Sequence, residues 1–327
     1  MRRMIVEAER FPIAGSFTIA RGSRTEAAVV AVTISEEGAA GRGECVPYAR
    51  YGETVEGVAA AIEAMAPAVA GGLDRDALQA AMPAGAARNA IDCALWDLDA
   101  KRTGVPAHVM AGLDRLRPVT TAYTISLGPP EVMAEAARRA SDRPILKIKL
   151  GAPDGDLGRI AAVRAAAPGS TLIADANEGW TAASLRAHLD ACADAGFVLV
   201  EQPVPASEDA VLADTPRSVL LCADESLHDR AGLAALEGRY DAINIKLDKA
   251  GGLTEALLLA DEAQRRGFAI MVGCMLGTSL AMAPALLLAP RARFVDLDGP
   301  LLLARDREPA LTYEGSILHP PPSHLWG

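Results

Sequence analysis

The chain has 327 residues, half of them hydrophobic but only 4% aromatic, and carries a net charge of −10. That length suits one large or two ordinary domains with a core of Ala, Leu, Val and Ile, and the acidic balance without a basic run excludes a nucleic-acid surface. Five scattered cysteines without a CxxC pair (Cys45, Cys93, Cys192, Cys222 and Cys274) argue against a disulfide framework or zinc site, and for a reducing cytoplasm.

The opening MRRMIVEAERF is basic but lacks the apolar stretch of a signal peptide. VAVTISEEGAAGRGECV alternates with period two and predicts a hairpin. VEGVAAAIEAMAPAVAG is helical, and so is AARNAIDCALWDLDAKRTG, which stops at Gly104 and Pro106. Together these predict an α+β domain over residues 1–115. Eight short apolar runs then recur: 119–125, 145–150, 171–177, 197–203, 220–226, 242–247, 269–275 and 292–298. Amphipathic segments such as MAEAARRA, IAAVRAAA and SLRAHLDACADAG separate them. Strands alternating with helices predict parallel βα units closed into a barrel over residues 116–299. Residues 300–327 are expected to return to the first domain. No charge occurs between Phe268 and Pro290, but Gly273, Gly277, Thr278, Ser279 and Pro284 interrupt that stretch. It reads as a buried strand, a loop and a buried helix, not a membrane span.

Most of the barrel runs are apolar in front and ionisable behind: Lys147 and Lys149, Asp175, Glu201, Asp224, Lys246, Asp296 and Asp298. Strand C-termini build the active site of a βα barrel. A single strand-end charge is most simply a solvated one, but charges are depleted in strands and lysines are rarely buried unpaired. As a set, these residues predict a site. Asp175, Glu201 and Asp224 end consecutive strands, ~4.8 Å apart, and an all-oxygen trio suits Mg²⁺. Lys147 and Lys149 share one face of their strand, and the expectation is that Lys147 helps to make Lys149 a base. Lys246 faces them across the barrel. A divalent cation with a base on each face suits proton removal α to a carboxylate, followed by proton return from the other side.

The KxK at 147–149, the trio Asp175/Glu201/Asp224 and Lys246 upstream of AGG resemble the enolase superfamily, muconate-lactonizing subgroup, whose sites use a Lys or His base with Mg²⁺. RNAIDCALWDLDAK resembles that family's helix between capping domain and barrel. The resemblance implies an α/β fold: a (β/α)7β modified TIM barrel with an α+β capping domain. It also implies Lys149 and Lys246 as acid/bases, with Lys147 on the substrate carboxylate. ARFVDLDGP, with Asp296 and Asp298, resembles the DxD that holds the α-ammonium in dipeptide epimerases. SFTIARGSRTEA resembles a flexible capping loop of L-Ala-D/L-Glu epimerases, where an arginine binds the substrate's side-chain carboxylate. Arg24 matches that position best and Arg21 is second. Thr124 and the Met275 segment VGCMLGTSL match substrate-contacting positions, and ECVPYARYGET resembles a second capping loop. The implied activity is Mg²⁺-dependent epimerisation of a dipeptide such as L-Ala-D/L-Glu, in a cytoplasmic protein without nucleic-acid or membrane partners, a homo-oligomer being left open. Rival readings on the same scaffold are o-succinylbenzoate synthase, muconate cycloisomerase and N-acylamino-acid racemase.

Overall fold

The computed structural model describes residues 1–152 and 154–327. It begins with an antiparallel sheet of β1 (Arg3–Ile19), β2 (Gly22–Glu36) and β3 (Ala39–Cys45), in that order. Alternation along β2 sends Val30, Val32 and Ile34 to one face, where they meet Ile91, Leu95 and Leu98. Four helices follow: α1 (Val55–Glu63), α2 (Ala66–Ala70), α3 (Arg75–Ala81) and α4 (Ala86–Thr103). Thr54 and Asp74 cap α1 and α3 through their side chains, and Gly104 ends α4 in a left-handed conformation. The contact between β3 and α4 is backbone on backbone. A Cβ on Gly41 or Gly43 would lie 2.2 Å from Ala94 O or 2.1 Å from Ala90 O, so only glycine allows this approach.

After α5 (Ala107–Met110) and β4 (Val119–Thr120) the barrel begins. Its parallel strands are β5 (Tyr123–Ile125), β6 (Ile145–Lys149), β7 (Thr171–Asp175), β8 (Phe197–Glu201), β9 (Leu220–Ala223), β10 (Ala242–Ile245), β11 (Ala269–Val272) and β12 (Phe294–Val295), paired in sequence order. Ala122 N donates to Val295 O at 2.8 Å and joins the two edges. The crossovers carry α6 (Pro130–Arg139), α7 (Asp156–Ala166), α8 (Ala182–Asp194), α9 (Leu233–Leu236), α10 (Leu247–Ala250), α11 (Leu253–Arg265) and α12 (Ser279–Ala285). Between β8 and β9 the crossover is a 3₁₀ turn at Asp209–Asp214. The (β/α)7β barrel with its capping domain is therefore as expected. Inside it, Ile173, Leu199, Cys222, Ala242, Met271 and Phe294 fill the floor below the polar strand ends.

Two elements depart from expectation. Val119 and Thr120 leave the barrel and pair instead with β14 (Ile317–Leu318), which also pairs with β13 (Tyr313–Glu314). SFTIARGSRTEA is an extension of the β1–β2 hairpin with Ile19 opposite Gly22, not a loop; a register shift between Pro12 and Phe17 bends it. The C-terminal segment touches both domains: in the capping domain Arg307 pairs with Glu9 and with buried Glu44 (2.7 Å) and Trp326 donates to Cys93 O at 3.0 Å, and from the barrel Arg143 donates to Gly315 O at 3.0 Å. Among the described residues no helix is long and apolar enough to cross a membrane.

Candidate active site

The polar strand ends and the capping hairpin border one cavity. Lys149, Asp224 and Lys246 line its barrel side, Phe17, Arg24 and Tyr48 its capping side, and Met275 also borders it. Lys149 ends β6 and Lys246 follows β10, four strands away in a ring of eight. The two ammonium groups therefore stand on opposite walls. Asp175 and Glu201 are in register as the last residues of adjacent β7 and β8, and Asp224 follows β9.

All three carboxylates are buried and each leans on a lysine. Lys149 Nζ donates to Asp175 Oδ2 at 2.6 Å and Lys246 Nζ to Asp224 Oδ2 at 2.7 Å. Lys147 Nζ lies 2.7 Å from Glu201 Oε2, 2.7 Å from Asp296 Oδ2 and 3.4 Å from Asp175 Oδ2. Burial alone would lower the pKa of Lys147, but Asp296, Glu201 and Asp175 outweigh it and hold it well above the lysine range. Burial is likewise overcome at Lys246 by Asp224 and Glu201. Asp224 is held well below the carboxylate range, Lys246 and Lys249 outweighing its burial. Glu201 is raised by burial and by Asp175. The charge of Lys147 is thus shared among three carboxylates.

The donor set fits a hard divalent cation in chemistry: three buried carboxylates on adjacent strands, with Glu201 Oε2 met by the Lys147 ammonium at 2.7 Å. In this arrangement the oxygens turn toward the ammonium groups. Among the described residues no three acidic, His or Cys side chains surround one point closely enough to hold an ion.

The remaining expected residues form two groups. Asp296, Asp298, Thr124 and Lys147 make a buried cluster behind the cavity: Asp296 takes Lys147, and Thr124 N donates to Asp298 Oδ2 at 2.6 Å. Both aspartates lie just past β12 instead of within it as expected, with Asp296 N still bonded to Val272 O of β11 at 2.8 Å. Asp298 is pushed up to about 7 by burial and by Asp296, and Asp296 Oδ1 is buried without a partner. Thr124 borders a neighbouring groove instead of the main cavity. At the mouth, Arg21 is fully engaged by Asn177 O (2.8 Å), Tyr48 Oη (2.9 Å) and Glu225 Oε1 (2.6 Å). Arg24 stacks on Tyr48 at 5.5 Å and, among the described residues, has no ion partner.

Sequence reasoning missed Lys249, Asn244, Glu178 and Glu225. Asn244 donates to Glu201 Oε1 at 2.7 Å; its place two residues before Lys246, on the same strand face, was a usable signal. Glu225 is raised to about 7 by burial and by Asp224 and Asp175. Asn177, Glu178 and Gln202 hold positive φ angles of 45°, 66° and 36°. Such strain gathers where loops shape a site.

Residues 1–112 match the mandelate racemase/muconate lactonizing enzyme N-terminal domain, and residues 131–321 the enolase C-terminal domain-like family. The chain belongs to the enolase superfamily. An L-Ala-D/L-Glu epimerase of Escherichia coli K12 is 49% identical over 98% of this chain and all of its own. An N-acetyl-D-glutamate racemase of a Pseudoalteromonas species is 44% identical over 91% of this chain and 95% of its own. An enolase family member from Agrobacterium tumefaciens with homology to dipeptide epimerases was solved with bound sodium, L-Ala-L-Glu and an ordered loop. It superposes with a TM-score of 0.99 at 56% identity over the full length of both chains. Like the epimerase and the racemase, this superfamily member is an isomerase.

Proposed function

We propose that this chain is a Mg²⁺-dependent dipeptide epimerase that inverts the α-carbon of the C-terminal residue, with L-Ala-D/L-Glu as its substrate. The observation that carries the reading is the placement of Lys149 and Lys246 on opposite walls of one cavity, each against a buried carboxylate. One ammonium, once deprotonated, takes the α-proton from its face, and the other delivers a proton to the opposite face. Asp175, Glu201 and Asp224 would hold the Mg²⁺, which when bound supplies charge stabilisation for the substrate carboxylate as its α-carbon loses the proton. Lys147 adds a fixed positive charge beside that carboxylate. Asp296 and Asp298 offer the α-ammonium its acceptors. Arg24, unpaired at the mouth, takes the glutamate side chain, whereas Arg21 holds the hairpin down.

A second reading, racemisation of an N-acyl amino acid, draws on the racemase relative and on the engagement of Asp296 by Lys147. Incubating L-Ala-D-Glu and N-acetyl-D-glutamate separately with Mg²⁺ decides between them. The dipeptide is expected to have the higher kcat/KM by at least ~10-fold, a 1.4 kcal/mol preference; a preference for the acetylated amino acid would overturn the substrate assignment.

A further inference from the structure

Asp224 has a second buried partner that takes no part in the proton transfers above. Lys249, in α10, is 1% exposed and does not line the cavity. An ammonium has three N–H bonds, and here each finds an acceptor: Asp224 O at 2.5 Å, Asp224 Oδ1 at 2.6 Å and Asn244 O at 3.1 Å. Its backbone is equally fixed. Gly251 and Gly252 close α10 with φ of 78° and 115°. From α4 in the capping domain, Arg88 grips Ala250 O (2.7 Å) and Gly251 O (2.9 Å), and Asn89 bonds Asp248 at 2.9 Å. The other oxygen of Asp224 receives Lys246 at 2.7 Å, whereas Glu201 is 3.9 Å from that ammonium. Lys249, Asp224 and Lys246 thus form one chain of contacts. Lys149 stands outside it, held by Asp175.

We propose that Lys249 is a positioning residue for one half of the reaction: it fixes Asp224, and through Asp224 it aims Lys246 at the cavity without touching substrate. This rests on the two-lysine reading above. A residue serving only the fold, or acting through Asp224 only on the shared carboxylate trio, would affect both faces of the substrate alike, whereas the aim of Lys246 affects one. Misplacing a reacting group by about 1 Å costs on the order of 100-fold, enough to separate the faces.

The test is Lys249→Met, with α-hydrogen exchange measured in D₂O from each epimer of L-Ala-Glu at saturating Mg²⁺. The ratio of the two exchange rates is expected to shift by about 10-fold or more in the sense seen for Lys246→Ala. Equal slowing of both epimers, or no change, would overturn the proposal. Where the Met variant does not melt cooperatively, Lys249→Gln, which keeps a donor toward Asp224, is read in the same way. A second readout needs neither metal nor substrate. In ¹⁵N-lysine spectra of the folded variant, the Lys246 resonance is expected to move and that of Lys149 to stay; an unmoved Lys246 signal counts against the role. If Lys149→Ala and Lys246→Ala show no opposite epimer preference, the two-lysine reading fails, and the positioning role with it.

Discussion

Lys147 and Lys149 differ by two positions in one strand, and the structure separates their roles. Lys147 is enclosed by Asp296, Glu201 and Asp175, while Lys149 reaches the cavity with Asp175 beside it and Phe17 at 5.6 Å. The two mouth arginines divide in the same way, since Arg21 is consumed by Glu225, Tyr48 and Asn177 and Arg24 is left facing the cavity. Arg24→Ala is accordingly expected to raise KM for L-Ala-D-Glu while sparing dipeptides with uncharged C-terminal residues. Losing a hydrogen bond to a charged group costs about 1.5–3 kcal/mol, roughly a 10- to 150-fold change. Steady-state kinetics on both substrate types checks this, and an equal loss on both would move the side-chain role away from Arg24. Strand period and residue type were enough to read the ionisable strand ends from the sequence. Which arginine is free was not legible, because it depends on Glu225 and Asn177, which lie on loops whose approach to the hairpin no local pattern records. Lys249 was hidden for a related reason: a lysine on a short helix reads as solvated until that helix places it against Asp224 and Asn244 O at the ends of β9 and β10.

Among the elements, the barrel strands were the most legible, because fully buried parallel strands are short apolar runs with polar ends. The capping hairpin was the least, because Ser, Thr, Gly and Arg around residues 16–27 read as a loop although the backbone pairs to Ile19 and Gly22. The β3–α4 contact offers a direct check. Gly43→Ala would drive a methyl group to 2.1 Å from Ala90 O, and overpacking of this kind costs about 1–3 kcal/mol or more. The melting temperature is expected to fall by roughly 2–4 °C per kcal/mol for a chain of this size. Gly169→Ala, where a Cβ meets nothing within 4 Å, serves as the control and should leave the melt unchanged. Equal melts for the two variants would show that α4 is not held by this close approach.

At the scale of the molecule, the capping domain and barrel meet through buried carboxyl groups. Asp248, accepting from Val46 N at 3.0 Å and Asn89 at 2.9 Å, is raised by burial to about 7. Asp92, accepting from Thr254 N at 2.9 Å, is raised by burial to about 6. An unfolded aspartate titrates near ~3.9, so in both cases the folded state binds the proton more tightly. Their contribution to stability is full below that unfolded value and is lost as pH rises through about 6 and 7. Asp248→Asn, which cannot ionise, is therefore expected to gain melting temperature relative to the parent as pH is raised from 5.5 to 8.5. A difference that stays flat or falls would show that Asp248 is not protonated in the fold.

Two amines that exchange protons with one carbon from opposite sides carry the whole reading, and isotope exchange by the single-lysine variants tests it. L-Ala-D-Glu and L-Ala-L-Glu are each incubated in D₂O with Mg²⁺ and with Lys149→Ala or Lys246→Ala, and the α-deuterium in each epimer is read by mass spectrometry. Neither variant is expected to invert the dipeptide, and each is expected to label only one epimer, a different one for each variant. Inversion at the parental rate by either variant, or labelling of the same epimer by both, would contradict it.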